Sequence, residues 1–368
     1  MKVTFPHLGT LAIGLRALLT DLGAECVVPP PTTSQTIAKG AALAPEAACL
    51  PLKVGIGNFL EAEALGAEAV VMAGGSGPCR LGYYADVQRD ILRAAGSRLE
   101  FITLEPPGGH VAELWRRLRG LGTHVTPARF WRAFWFAWSK LSAIDELDRL
   151  TAPARAREAV AGSASRLRER CLRRIDEAGS MAAVRAALRE QRESFAALPL
   201  ADGDEPPVRC GLVGEVYVVL EPAVNHDTER RLGELGVEVN RSIFITDWVK
   251  DNLGRDALRL GYPSVHLRRA RPYLNHWVGG HGTDNVGAVV EHARSGYDGV
   301  VQVAPLTCMP EIVAHSVLQG RVARAEDIPV LTLYFDEHAG EAGTVTRLEA
   351  FVDLMRRRRR ARKEAAAR

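Results

Sequence analysis

A chain of 368 residues, 47% of them hydrophobic, is long enough to build two packed cores and too apolar to stay unfolded. Its formal charge of +3 is unevenly spread: residues 356–368 hold eight basic side chains against one Glu, a local +7, leaving −4 for everything before them. That mildly acidic body argues against a nucleic-acid binder, and the basic run reads as a solvated, frayed helix end.

No uninterrupted apolar run of about 18 residues occurs, which excludes a membrane-spanning helix by length. The opening MKVTFPHLGTLAIGLRALL reads as strand, Gly turn and helix rather than a cleavable leader, so a soluble cytoplasmic protein is expected. Six cysteines in such a chain do not suggest a disulfide framework; each is core filler, reactive thiol or metal ligand.

The first 128 residues alternate strand and helix. KVTFPHLG, ECVVPP, AVVMAGG and LEFITLEPP are short β-branched or apolar runs ending in Gly or Pro. LAIGLRALLTDLG, PLKVGIGNFLEAEALGA and YADVQRDILRAAG carry apolar residues at helical spacing, and the alternation predicts a parallel sheet flanked by helices. Residues 129–197 change character, opening on the aromatic cluster RFWRAFWFAW and continuing as Arg/Ala/Glu-rich helix, which reads as a helical insert. Residues 198–209, with their Pro, Gly and Asp, form the clearest linker. Alternation resumes over 210–355 with the expected strands CGLVGEVYVVLEP, VEVNRSIF, DGVVQVAPLTC and IPVLTLYFDE, and residues 356–368 form the basic tail.

Two segments echo each other: ACLPLK around Cys49 and TCMPEI around Cys308 both give Cys-x-Pro ahead of an amphipathic helix. Proline suits the first helical turn, where its missing N–H costs nothing, so each cysteine is expected at a helix N-terminus, where free N–H groups and the dipole favour a thiolate. Cys79 closes the glycine-rich strand exit Gly74-Gly75-Ser76-Gly77-Pro78, whose amides are free to approach an anion, with Arg80 adding positive charge. Three thiolates with one open position suit either catalytic zinc or a [4Fe–4S] cluster. A second unusual loop, Val278-Gly279-Gly280-His281-Gly282, offers backbone amides and a titratable imidazole at the start of a helix; His281 is the candidate proton donor there, with Gly279, Gly280 and Gly282 as backbone donors. His276 and Trp277 are expected to pack. Glu215 and Asn225 stand at the ends of what reads as a core strand, and Cys26, Cys171 and Cys210 as structural thiols. No GxxxxGK[ST] loop and no GxGxxG after a first strand occurs, so no ATP, NAD or flavin site is recognised.

Taken in order, ACLPLKVGIGNFLEA, VVMAGGSGPCRLGYYADVQRDIL, GEVYVVLEPAVN, RPYLNHWVGGHGTDNVG, GYDGVVQVAPLTCMPEIVA and DEHAGEAGTVTRLEAFVDL resemble the 2-hydroxyacyl-CoA dehydratase/benzoyl-CoA reductase superfamily, in its stand-alone CoA-protein activase-like branch. The resemblance implies an α/β fold of two Rossmann-like parallel-sheet subdomains with a helical insert between them. It also implies an oxygen-sensitive iron–sulfur cluster at the inter-subdomain cleft, on ligands that map to Cys49, Cys79 and Cys308. A dimer, with itself or a related subunit, and an ATP-hydrolysing iron–sulfur activator as electron donor are further implications. The function expected is an iron–sulfur redox protein; the alternatives are a dehydratase-type lyase acting on an acyl-CoA and a non-catalytic or zinc-bound partner of such a system.

Overall fold

Strands ending in glycine or proline, each answered by a helix with one apolar face, leave parallel pairing as the only way to bury both partners. A computed structural model describes residues 1–74, 80–104, 111–122, 125–201, 205–250 and 265–367. It separates into two units, residues 1–142 with 245–262 and residues 143–244 with 263–368. Each holds one four-stranded, all-parallel sheet, so the two-sheet α/β architecture is the fold of this chain.

In the first unit the strands are β1 (Lys2–Thr4), β2 (Glu25–Cys26), β3 (Ala69–Ala73) and β4 (Glu100–Leu104), in spatial order β2-β1-β3-β4. Helix α1 (Leu11–Asp21) links β1 to β2, and α2 (Ser34–Leu43) with α3 (Leu50–Ala64) links β2 to β3. Helix α4 (Tyr84–Ala94) leads to β4, after which come α5 (Val111–Gly120) and α6 (Pro127–Arg157). Helix α2 has little apolar character and was not anticipated. It is held by a Thr33/Thr36 capping box and by backbone contact with α3, where a side chain on Gly40 would strike the Lys53 carbonyl oxygen at 1.7 Å.

The second unit takes the end of α6 with α7 (Ser163–Glu177) and α8 (Met181–Ala196), then repeats the topology of the first. Its strands β5 (Val208–Gly214), β6 (Val237–Arg241), β7 (Gly299–Pro305) and β8 (Val330–Phe335) lie in the order β6-β5-β7-β8. Helices α9 (Val216–Leu220) and α10 (Thr228–Glu234) join β5 to β6; after β6 the chain gives α11 (Ile245–Val249) to the first unit, and α12 (Val265–Ala270) and α13 (Gly282–Arg294) of the second unit precede β7. Helix α14 (Met309–Val317) lies between β7 and β8, and α15 (Glu341–Ala366) closes the chain. The expected strand CGLVGEVYVVLEP is therefore corrected: it is a strand only to Gly214, and the run Val216–Leu220 is a short buried helix capped by the Glu215 side chain.

The basic tail belongs to α15, and three of its arginines reach the amino-terminal ends of the second sheet. Arg359 donates to the Pro207 carbonyl and faces Asp298, at the starts of β5 and β7. Arg356 reaches the Leu235 carbonyl ahead of β6, and Arg358 pairs with Asp327 ahead of β8. No described helix is long and apolar enough to cross a membrane.

Elsewhere in this unit a buried ion network fixes α6 against α7, α10 and β6. Asp148 accepts from Arg168 at 2.8 Å and from Arg241 at 2.9 Å, while Arg241 also reaches Glu229 at 3.0 Å. Burial alone would raise the Asp148 carboxyl, but the two guanidinium groups hold it down at about 2. With its pKa depressed by folding, Asp148 contributes stability above the ordinary carboxylate range that is lost as pH falls toward about 2. Asp148→Ala, which leaves two buried guanidinium groups short of a partner, should cost on the order of 3–5 kcal/mol in denaturant unfolding at neutral pH.

Candidate functional site

A crossover helix in a parallel sheet runs back against the strands, so its first residue lies at the strands' carboxyl-terminal edge, where open α/β sheets hold their ligands. Cys49 is the N-cap of α3 and Cys308 the N-cap of α14. Both have extended backbone angles, both are followed by a proline in the first turn, and neither side chain caps its own helix. They are 8% and 9% exposed, so each sulfur sits in a nearly dry environment at the positive end of a helix. The two Cys-x-Pro segments thus form the two helix starts expected of them.

Topology adds a relation that the motif does not show. Helix α3 precedes the third strand of its sheet, and its counterpart in the second unit is α13, whose N-cap is His281. Helix α14 follows the third strand of its own sheet, so Cys308 corresponds to the segment after β3, where Cys79 lies. Cys49 therefore corresponds to His281, and Cys79 to Cys308; the sequence echo between Cys49 and Cys308 crosses these positions.

Cys79, Gly75 and Gly77 lie outside the described residues, as does the Arg80 side chain; the Arg80 backbone opens a single 3-10 turn ending at Tyr83. Gly74 extends β3 by donating its N–H to the Leu104 carbonyl. Cys49 Sγ is in contact with Tyr84 Oη, at the start of α4. Among the described residues no group of three or more His, Cys, Asp and Glu side chains is arranged to hold a metal ion. What the described residues offer is two thiols at helix N-termini, donors of the soft, anionic kind that an iron–sulfur cluster takes.

The glycine loop before α13 is tightly held. Gly279 and Gly280 take left-handed φ values of +92° and +47°, and Thr283 Oγ1 both accepts from Val278 N–H and donates to the His276 carbonyl. Gly282 packs on the Pro310 carbonyl, where a side chain would come within 2.5 Å, so the starts of α13 and α14 abut and His281 and Cys308 open neighbouring helices. Trp277 is 46% exposed and His276 is exposed beside it, contrary to the expectation that both pack. Leu306, Met309 and Ile312, flanking Cys308, are also exposed and give that helix start an apolar rim.

Beneath this rim is a buried polar assembly whose centre the sequence reading missed. Glu311, 1% exposed, accepts from Asn285 at 2.7 Å and from Gln302 at 2.8 Å. Asn285 in turn exchanges both its amide groups with the backbone of Gly214, Gln302 accepts from Thr332, and His315 bonds to Thr332 behind it. Glu215, immediately after β5, caps α9 by accepting from Val218 N–H. Burial pushes the Glu311 carboxyl up to about 7; Glu215 and Asp284 raise it further, and the amides of Gln302 and Asn285 oppose them. Burial also lifts Glu215 to about 7, against the N–H groups of Tyr217 and Val218. Glu215 is only partly shielded by the fold, whereas Glu311 is buried. The available signal was spacing: Glu311 stands three residues beyond an N-cap, where Glu usually turns back to cap, but here it points into the sheet.

The remaining polar and thiol residues have structural surroundings. Asn225 donates to the carbonyls of Val218 and Val219 and accepts from Thr228 N–H, tying α9 to α10. Cys210 is fully buried in β5, with its thiol pushed up to about 12 by burial, and Cys171 faces inward on α7. Cys26, at the end of a strand of only two residues, is partly exposed.

No protein-family model matches the chain, and no curated protein is significantly similar to it.

Because folding raises the Glu311 pKa above its ordinary 4.5, the folded state holds the proton more tightly, and stability falls as pH rises from about 4.5 through about 7. In thermal or denaturant unfolding across that window, Glu311→Gln should flatten the decline by on the order of 2–3 kcal/mol. An equally steep decline in the variant would show that Glu311 does not carry it.

Proposed function

We propose that this chain is an iron–sulfur redox protein of the 2-hydroxyacyl-CoA dehydratase superfamily, with Cys49, Cys79 and Cys308 as thiolate ligands of a [4Fe–4S]-type cluster. The observation that carries the reading is the shared placement of Cys49 and Cys308. Each stands at the N-terminus of a helix that begins at the carboxyl edge of a parallel sheet, nearly buried and followed by proline. Cys79 follows β3 as Cys308 follows β7.

When bound, such a cluster supplies one-electron chemistry and, with three protein ligands, one iron position for an oxygen ligand. The chain's own part is to hold the thiolates, to shield them through burial, and to present the α13 loop with His281 beside Cys308 as the candidate proton donor. The sequence carries no phosphate loop, so the energy for low-potential reduction is proposed to come from a separate ATP-hydrolysing iron–sulfur activator. The protein is proposed to work in the cytoplasm, where its thiols stay reduced, and to pair with itself or a related subunit.

Anaerobically purified protein should be brown and contain iron and sulfide, and Cys→Ser at 49, 79 or 308 should each remove most of the iron, whereas Cys26, Cys171 or Cys210→Ser should leave it intact. A colourless preparation containing zinc would replace the reading with a zinc-bound protein. Stopped-flow absorbance should show cluster reduction only with activator, ATP and electron donor all present; full reduction by a weak donor alone would remove the activator from the scheme.

A further inference from the structure

The contact between Tyr84 and Cys49 joins two residues that are 4% and 8% exposed and share one apolar cluster with Leu52, Met72 and Ala85. A buried tyrosine hydroxyl is costly unless it is hydrogen-bonded, and apolar surroundings strengthen the bond that it makes. Either atom of this contact is able to donate when the sulfur is a thiol. A thiolate bound to iron has no proton, so in that state Tyr84 is necessarily the donor. Tyr84 opens α4 directly after the turn Arg80–Tyr83, five positions along the sequence from Cys79. One side chain thus ties the start of α3 at Cys49 to the start of α4.

We propose that Tyr84 is a positioning and tuning residue for the Cys49 ligand, donating its hydroxyl hydrogen to the thiolate and thereby favouring the reduced cluster. The inference rests on the cluster proposed above and adds a role for a residue that is not itself a ligand. Its physical basis is charge. Reduction adds an electron to a centre already carrying negative sulfur, and a fixed O–H dipole aimed at one sulfur stabilises the more negative state. Hydrogen bonds to cluster sulfurs are among the levers that set reduction potential.

The test is an anaerobic redox titration, followed by visible absorbance and EPR, of wild type, Tyr84→Phe and Tyr83→Phe. Tyr83 is 63% exposed and serves as the neighbouring control. Phenylalanine keeps the ring in its apolar surroundings and removes only the donor, so Tyr84→Phe should retain its iron, sulfide and oxidised spectrum. Its reduction equilibrium should shift against the reduced form by about tenfold, or ~59 mV for one electron, while Tyr83→Phe should titrate as wild type. A wild type without a cluster overturns the cluster reading, and this inference with it. A wild-type cluster with an unshifted Tyr84→Phe potential overturns the tuning role alone. Loss of iron from Tyr84→Phe also overturns it, by making Tyr84 part of what assembles the site.

Discussion

Everything of chemical interest in this chain depends on one constraint: two parallel neighbouring strands are joined only by a segment that returns the full length of the sheet. The helices that make this return start where the strands end. Cys49, His281 and Cys308 are all N-caps of such helices, so residues far apart in sequence stand at equivalent carboxyl edges of their sheets. The same geometry puts each sulfur at the positive end of its helix and keeps side chains of the second unit, such as Asn285, within reach of the strand exit at Gly214.

The sequence was informative where local chemistry and tertiary demand agree. Cys-x-Pro marked both helix starts, because proline at the first turn serves the helix whatever surrounds it. The strands DGVVQVAPLTC and IPVLTLYFDE were evident from their β-branched runs, which a sheet covered on both faces requires. The Val216–Leu220 run was misread for the same reason: its composition suits a strand, but the Glu215 carboxylate bonds to the Val218 amide and turns the chain into a helix. Helix α2 escaped notice because it is secured by close backbone approach to α3, which leaves no hydrophobic periodicity to read.

The candidate site was legible in its thiols and not in its acids. Cysteines beside prolines and glycines announce themselves, whereas Glu311 has an ordinary helix-start spacing and acquires its character from burial and from Asn285 and Gln302, donated by another helix and by a strand. Cys49 and Cys308 share a local placement, the N-cap of a helix with proline in its first turn, but not a topological position. The repeated strand order pairs Cys49 with His281 and Cys79 with Cys308, so corresponding positions in the two sheets carry unlike chemistry at one place and like chemistry at the other.

The arginine-rich end of α15 gives the second sheet two edges with different work. Candidate ligands and acids gather where the strands finish, while Arg356, Arg358 and Arg359 fasten the places where the four strands begin. A cluster of like charges that would repel itself in solution is spread over carbonyls and carboxylates along that border. An RNA or an anionic lipid surface drawing on these three arginines would compete with the carbonyls and carboxylates at the strand starts. The same side chains would then be shared between the border of the sheet and whatever polyanion approached it.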